Sequence, residues 1–250
     1  MPAPVSRRTA ILGGSLAAAG ILLGSASASA AVPGQSNGGV RIMPLGDSIT
    51  DGYTPYPGGY RVKLWQLLTA GGYTVDFVGS QTNGPAELGD RDHEGHPGWR
   101  IDQLDANIGT WLGQSDPRTI MLLIGTNDLN QNYDIANAPT RLSGLIDHIR
   151  AIKPQSIIFV ATIPPQSNAT LESRVRAYNA AIPSIIAQKD SRVRLVKMYD
   201  SLTTADLADG IHPTKAGYEK MAPVWYNALR SVRSSLVPLH AANGLAAART

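Results

Sequence analysis

The sequence predicts an α/β fold: a three-layer α/β/α sandwich around a central, mostly parallel five-stranded sheet. Two observations carry this reading. Short apolar runs recur along the chain, as expected of strands buried on both faces. Between them lie stretches in which apolar residues return with a helical period. Strand–helix alternation of this kind wraps a parallel sheet in helices on both faces. A chain of 250 residues that is 43% hydrophobic is also long enough to bury one core.

Residues 40–45 read as the first strand, followed by 74–78, 119–124, 156–161 and 193–198. Runs 40–45, 120–124 and 157–160 are almost wholly apolar. The first helical stripe is Tyr60, Leu64, Leu67 and Leu68, and the second is Ile101, Leu104, Ile108, Trp111 and Leu112. Leu142, Leu145, Ile146, Ile149 and Ile152 form a third, with Pro139 near its first turn, a position that tolerates proline. Val175, Tyr178, Ile182, Ile185 and Ile186 make a fourth, and Tyr218, Met221, Ala222, Trp225 and Leu229 a fifth. The expected organisation is one folded domain over residues 40–234, after a linker at 31–39 and before an Ala-rich tail at 235–250.

Residues 1–30 stand outside that pattern. Arg7 and Arg8 precede an apolar run over 10–24, and Ala28-Ser29-Ala30 fits a small-x-small cleavage site. This reads as a secretory signal peptide cleaved after Ala30. Gly13, Gly14 and Gly20 break the apolar run, which argues against a spanning anchor. The Ser6-Arg7-Arg8 start fits twin-arginine export, although Ala10 stands where an aromatic would strengthen the match; Sec export stays open. A secreted protein, not stably inserted in a membrane after cleavage, is expected.

Composition excludes several classes. With no cysteine, there is no disulfide scaffold, thiol nucleophile or cysteine-ligated metal. The net charge is only +3, and two of the basic residues lie in 1–30. No Lys/Arg run remains, so nucleic-acid and anionic-membrane binding lack an electrostatic basis.

In a sheet of this type ligands bind beyond the carboxyl ends of the strands, and three polar clusters fall there. Gly46-Asp47-Ser48-Ile49-Thr50 follows the first strand, with Ser48 expected in the loop above it. Gly125-Thr126-Asn127-Asp128 follows the third, and Asp209-Gly210-Ile211-His212-Pro213 precedes the last helix. Each has an ordinary reading: a capping serine, a turn-forming Asn-Asp pair, a capping aspartate. Together they supply a hydroxyl nucleophile, a base, a carboxylate to orient the base and an amide donor for an oxyanion. Those are the parts of acyl-transfer chemistry.

The ordered G-D-S, G-x-N-D and D-x-x-H-P blocks resemble the SGNH/GDSL hydrolase superfamily, whose flavodoxin-like sandwich agrees with the fold read above. Its glycine block matches Asp92-His93-Glu94-Gly95-His96-Pro97-Gly98-Trp99-Arg100. That block, with Asp76-Phe77-Val78-Gly79-Ser80, is similar to carbohydrate esterase family 3, the acetylxylan esterase-like enzymes. The resemblance covers residues 40–232 and implies Ser48 as nucleophile, His212 as base and Asp209 as its orienter. It further implies an oxyanion hole of the Ser48 and Gly98 backbone N–H groups and the Asn127 side chain. Gly95 competes with Gly98 for that role. A residue without Cβ lets backbone approach a substrate oxygen closely, which suits either glycine. Ser48 sits in G-D-S and not in a G-x-S-x-G elbow, which points away from the α/β-hydrolase fold.

Other features invite different readings. His93-Glu94-Gly95-His96 suggests zinc, but its histidines are three apart and a zinc-protease helix needs four. No metal and no cofactor are expected, and His93 or Glu94 is read as bracing the Gly98 loop. Trp99 is read either as a sugar-stacking platform or as core. Segment 51–59, with Tyr53 and Tyr56, is either a substrate rim or a plain connector. The function implied by the resemblance is an ester hydrolase that removes O-acetyl groups from a polysaccharide such as acetylated xylan, or acts on small esters; a monomer is expected. The alternatives are a GDSL-type lipase or lysophospholipase, a general short-chain esterase, and a non-catalytic sugar-binding domain. Only two Phe and no long apolar loop run count against a lipase groove. The filled catalytic positions count against a mere binding domain. Fold alone does not choose the ester.

Overall fold

The computed structural model describes residues 36–237 together with Met1. The signal-peptide reading of residues 1–30 lies outside the described residues, as do residues 238–250 of the expected tail. The chain begins with β1 (Val40–Gly46), α1 (Ser48–Asp51), α2 (Tyr60–Ala70), β2 (Val75–Phe77), β3 (Gln81–Thr82) and β4 (Asp92–Gly95). Next come α3 (Ile101–Ser115), β5 (Thr119–Leu123), α4 (Thr126–Asn130) and α5 (Ala138–Ile152). It closes with β6 (Ile157–Ala161), α6 (Ala169–Ala187), β7 (Val193–Val196) and α7 (Lys215–Ser231).

Every expected strand and every expected helical stripe is present, and the apolar stripes face the core. Leu145, Ile149, Ile182 and Trp225 are fully buried. Ile152, at the end of α5, remains 37% exposed. The sheet has seven strands where five are expected, because β3 and β4 join it. Neither shows an apolar signature: β3 is exposed, and β4 is Asp92-His93-Glu94-Gly95 with all four residues buried. Two short helices, α1 and α4, likewise replace what reads as loop. Packing also runs past the expected limits of the domain. Asn37 Nδ2 donates to Val75 O and Asp90 Oδ2, both at 3.0 Å. Ser235 is fully buried, and its carbonyl accepts from Thr119 Oγ1 at 2.9 Å.

Strand β1 organises the sheet. On one side β2 pairs with its first half (Ile42↔Phe77) and β4 with its end (Gly46↔Gly95), both parallel. On the other side β5 runs parallel along it from Ile42↔Thr119 to Gly46↔Leu123, followed by β6 and β7. Only β3, paired with β4, is antiparallel. Winding reverses between β1 and β5, so the crevice beyond their carboxyl ends is the topological switch point. Helices α2 and α7 pack on each other, and α3, α5 and α6 form the second helical layer.

One buried cation ties this frame to the switch point. Arg61, on α2, is fully buried. It donates to the carbonyls of Thr50 (3.1 Å), Asp51 (3.1 Å), Arg91 (3.0 Å) and Asn83 (3.3 Å), and to Asn83 Oδ1. Burial pulls the guanidinium down to about 10, with Asp51, Asp90 and Asp92 nearby pulling it back up, so it stays charged at neutral pH. Replacing it with methionine fills the space but takes away the donor to Thr50 O and leaves Asp51 O and Arg91 O with only the Gly58 and Asn83 N–H groups. Arg61→Met should cost about 3–5 kcal/mol in urea unfolding, and a loss below about 1 kcal/mol would contradict this role.

Candidate active site

The chain leaves β1 through Gly46, where a Cβ would meet Leu123 O at 2.2 Å. Asp47 then caps α1, its Oδ1 accepting the Ile49 N–H at 2.9 Å. Ser48 is therefore the first residue of a helix, not a loop residue, and the capping role belongs to its neighbour. The reading of Asp209 as a helix cap is also set aside, since Thr214 caps α7 and its Oγ1 accepts from Gly217 N–H. Asp209 and His212 instead sit on a tight loop closed by Ala208 N–H to His212 O (2.8 Å) and a Leu207↔Pro213 bridge. Gly210, at φ +87°, makes the reversal inside it.

Across this crevice, Ser48 Oγ lies 2.8 Å from His212 Nε2, and His212 Nδ1 lies 2.7 Å from Asp209 Oδ2. Asp209 Oδ1 accepts the N–H groups of His212 (2.8 Å) and Ile211 (3.0 Å). Partial burial pushes the Asp209 carboxyl up, but these N–H groups and the His212 ring outweigh it and hold it at about 2. An ionised carboxylate only accepts hydrogen bonds, so Nδ1 carries the ring proton and Nε2 is left to accept from the Ser48 hydroxyl. The imidazole face is covered by Tyr53, whose ring stacks on it at 4.1 Å between centroids and 7° between planes. The Tyr53 N–H donates to the Tyr218 hydroxyl at 3.0 Å.

The turn His96-Pro97-Gly98-Trp99 stands at the end of β1. Trp99 N–H donates to His96 O at 3.1 Å, and His96 N–H donates to Gly46 O at 2.9 Å. Proline and a positive-φ glycine at the two centre positions are the signature of a type II turn. Gly98 has φ +80°, while a Cβ there would meet nothing within 4 Å. Backbone conformation, not crowding, therefore demands this glycine. Gly95 serves a different end: its N–H is taken by His93 Nδ1 at 3.0 Å, and a Cβ there would meet Asp51 N at 2.6 Å. Among the described residues the Gly98 N–H has no acceptor.

Helix α4 fastens the turn. Asn127 Nδ2 donates to Trp99 O (2.9 Å) and Gln131 Nε2 to Gly98 O (2.7 Å). Asn127 thus has one amide hydrogen anchored and a second left over. From below, Glu94 is fully buried and accepts from Ser80 N–H (2.8 Å) and Ser80 Oγ (2.6 Å). It also meets His96 Nε2 at 2.6 Å. The His96 ring stacks on Trp99 (4.3 Å) and Trp111 (4.7 Å), so Trp99 packs inward on this stack. Glu94 and His96 hold the turn, whereas His93 braces β4. Burial pushes the His93 imidazole far down, so it stays neutral. Among the described residues, no group of three or more His, Asp or Glu is placed to hold a metal.

Sequence reasoning missed Tyr53 on His212, Gln131, and the His96 stack. Gln131 lies one helical turn after Asn127, a signal visible only once α4 is read as a helix.

Asp47 is fully buried, and burial pushes its carboxyl up to about 7, with Asp128 adding to the rise and the Ile49 N–H opposing it. The unfolded chain releases this proton near pH 4. Stability from this group is therefore full below pH 4 and is lost as pH rises through 7. Asp47→Asn keeps the cap and removes the buried charge. It should gain roughly 1–3 kcal/mol at pH 8 and nothing at pH 4 in urea unfolding; Asp90, also near 7, keeps its own share of the slope. An equal effect at both pH values would refute the assignment.

Residues 45–220 match the GDSL-like Lipase/Acylhydrolase family. A family 3 carbohydrate esterase from Clostridium thermocellum superposes with a TM-score of 0.72 at 39% identity, over 79% of this chain and 99% of that one. A carbohydrate esterase family 3 structure from Talaromyces cellulolyticus has a TM-score of 0.69 at 28% identity, over 77% and 97%. A multidomain esterase of Ruminococcus flavefaciens is 34% identical over 220 residues, 75% of this chain. The chain spans only 28% of that protein's length. With 176 consecutive residues matched out of 250, the chain belongs to the GDSL-like lipase/acylhydrolase family.

Proposed function

We propose that this protein is a secreted serine esterase that removes O-acetyl groups from a polysaccharide such as acetylated xylan. The observation that carries the mechanism is the unbroken chain Ser48–His212–Asp209, with both contacts below 3 Å, at the end of the strand to which the Gly98 turn is bonded. His212 Nε2 takes the hydroxyl proton as Ser48 Oγ attacks the ester carbonyl. The N–H groups of Ser48 and Gly98 and the free amide hydrogen of Asn127 receive the developing oxyanion. The imidazolium then gives its proton to the departing sugar oxygen, leaving an acetyl-enzyme. Water, deprotonated by the same imidazole, attacks that ester and releases acetate. Asp209 holds the ring tautomer and offsets its positive charge throughout.

Acetyl as the acyl group is supported by the likeness to family 3 carbohydrate esterases. Surface composition agrees: the exposed large apolar side chains among the described residues are Met1, Tyr133 and Ile152. Tyr133 lies against the Arg100 and Arg141 guanidinium groups. A long acyl chain needs a wider apolar surface than these supply. Secretion is supported by the charged, apolar and small-residue order of residues 1–30.

Hydrolysis of a p-nitrophenyl ester series from acetate to dodecanoate, beside acetate release from acetylated xylan, tests the reading. A steep preference for acetate and release from xylan are expected. A preference for long chains with xylan untouched would overturn the substrate and keep the machinery. Ser48→Ala and His212→Ala should each lower kcat by at least about 10⁴-fold. Asn127→Ala should lower it about 10²–10³-fold with little change in KM. Because Asp209 is held at about 2, its carboxylate stays ionised at pH 4, and Asp209→Asn should lower kcat about 10⁴-fold at neutral pH by removing the acceptor that fixes the ring tautomer. Near-normal activity in Asp209→Asn would contradict its role.

A further inference from the structure

We propose that the cavity behind segment 53–59 is a sugar subsite, which takes an unesterified unit of the polysaccharide chain whose acetylated unit is at Ser48. The proposal rests on the deacetylase reading for its substrate class. The cavity measures about 420 Å³, within the roughly 300–1,000 Å³ of ligand pockets. Tyr56, Pro55 and Pro57 give it an apolar wall, on which the C–H face of a pyranose can pack. Lys63, Gln66, Glu87, Lys215 and Glu219 supply donors and acceptors around that wall. Two ammonium groups and two carboxylates cancel, so the lining suits a neutral, hydroxyl-rich ligand and favours neither an anion nor a cation.

Its place in the fold links it to the reaction. Tyr53, stacked on His212, and Tyr56, on the cavity wall, belong to one turn in which Tyr56 N–H donates to Tyr53 O at 2.6 Å. Tyr218 lines the cavity and accepts the Tyr53 N–H with its hydroxyl. Lys215 stands three residues after His212, at the start of α7. Cavity and catalytic imidazole are thus joined through the Tyr53–Tyr56 turn and Tyr218. A small ester needs only the imidazole. A polymer must continue past the reacting unit, and this cavity offers its chain hydrogen bonds and an aromatic face.

The test compares Tyr56→Ala and Lys63→Ala with the unaltered protein on two substrates, p-nitrophenyl acetate and acetylated xylo-oligosaccharides. Lys63→Ala should keep its thermal midpoint, Tyr56→Ala should stay folded at the assay temperature, and both should keep their p-nitrophenyl acetate kinetics within about twofold. KM for the oligosaccharides should rise about tenfold for Tyr56→Ala, with kcat little changed and Tyr56→Phe restoring it. Unacetylated xylohexaose titrated into Ser48→Ala, followed by calorimetry, should bind, and the added Tyr56→Ala change should weaken that binding about tenfold. Equal losses on both substrates, or xylohexaose binding indifferent to Tyr56 and Lys63, would overturn the subsite. Failure of the two readings is distinguishable. Xylohexaose bound through Tyr56 without acetate release from any acetylated oligosaccharide would sink the deacetylase reading and leave the subsite standing. Acetate release that is indifferent to Tyr56 and Lys63 would sink the subsite and leave the deacetylase reading standing.

Discussion

The Arg61 guanidinium spends its donors on backbone carbonyls, and the geometry of the site depends on that choice. A short helix leaves its last carbonyls without partners, and α1 is only four residues long. Arg61 takes Thr50 O, shares Asp51 O with the Gly58 N–H, and with its remaining donors reaches Asn83 and Arg91. The helix that begins with Ser48 is thereby fastened to the segment that leads into β4, and β4 leads to the Gly98 turn. Gly95 completes the join, since only hydrogen at Cα lets β4 lie against the Asp51 N–H. The positions of Ser48 and Gly98 are coupled through buried hydrogen bonds and not through sequence proximity.

Around this join the site is held from both sides. His212 is gripped by Asp209 along its edge and by Tyr53 on its face. The Gly98 turn is held by Asn127 of α4, by Gln131 just after it, and by the Glu94–His96 pair. In the proposed mechanism, donors fixed before the reaction need no reorganisation as charge develops. Two aspartates illustrate how environment divides labour. Asp209 sits at the surface among three N–H donors and is held ionised near 2. Asp47 is sealed in the core with one N–H donor and another carboxylate nearby, and rises to about 7. The first can carry a charge opposite the imidazolium, and the second serves as a cap.

Legibility followed period and length. The α3 stripe of Ile101, Leu104, Ile108, Trp111 and Leu112 could be read because it spans several turns and every member is buried. Strand β5 could be read because all five of its residues are buried. Strand β4 could not, since its four residues are buried but three are polar or charged, and their partners come from elsewhere in the chain. Helices α1 and α4 are too short to display a period. The Ser48, Asp209 and His212 positions were visible because each block combines a strand or helix boundary with a distinctive polar residue type.

The sequence by itself determined the alternation of strands and helices, the order of the three polar blocks and the identities of the residues in them. These are local properties, set by side-chain period and turn chemistry within a few residues. Only three-dimensional packing settles that, among the described residues, the Gly98 N–H and not the Gly95 N–H is left without an acceptor, that Asp47 and not Ser48 caps its helix, and that Tyr53 lies on His212. Each of these turns on which way a backbone faces, or on how closely segments distant in sequence approach. Residue type alone carries no record of either.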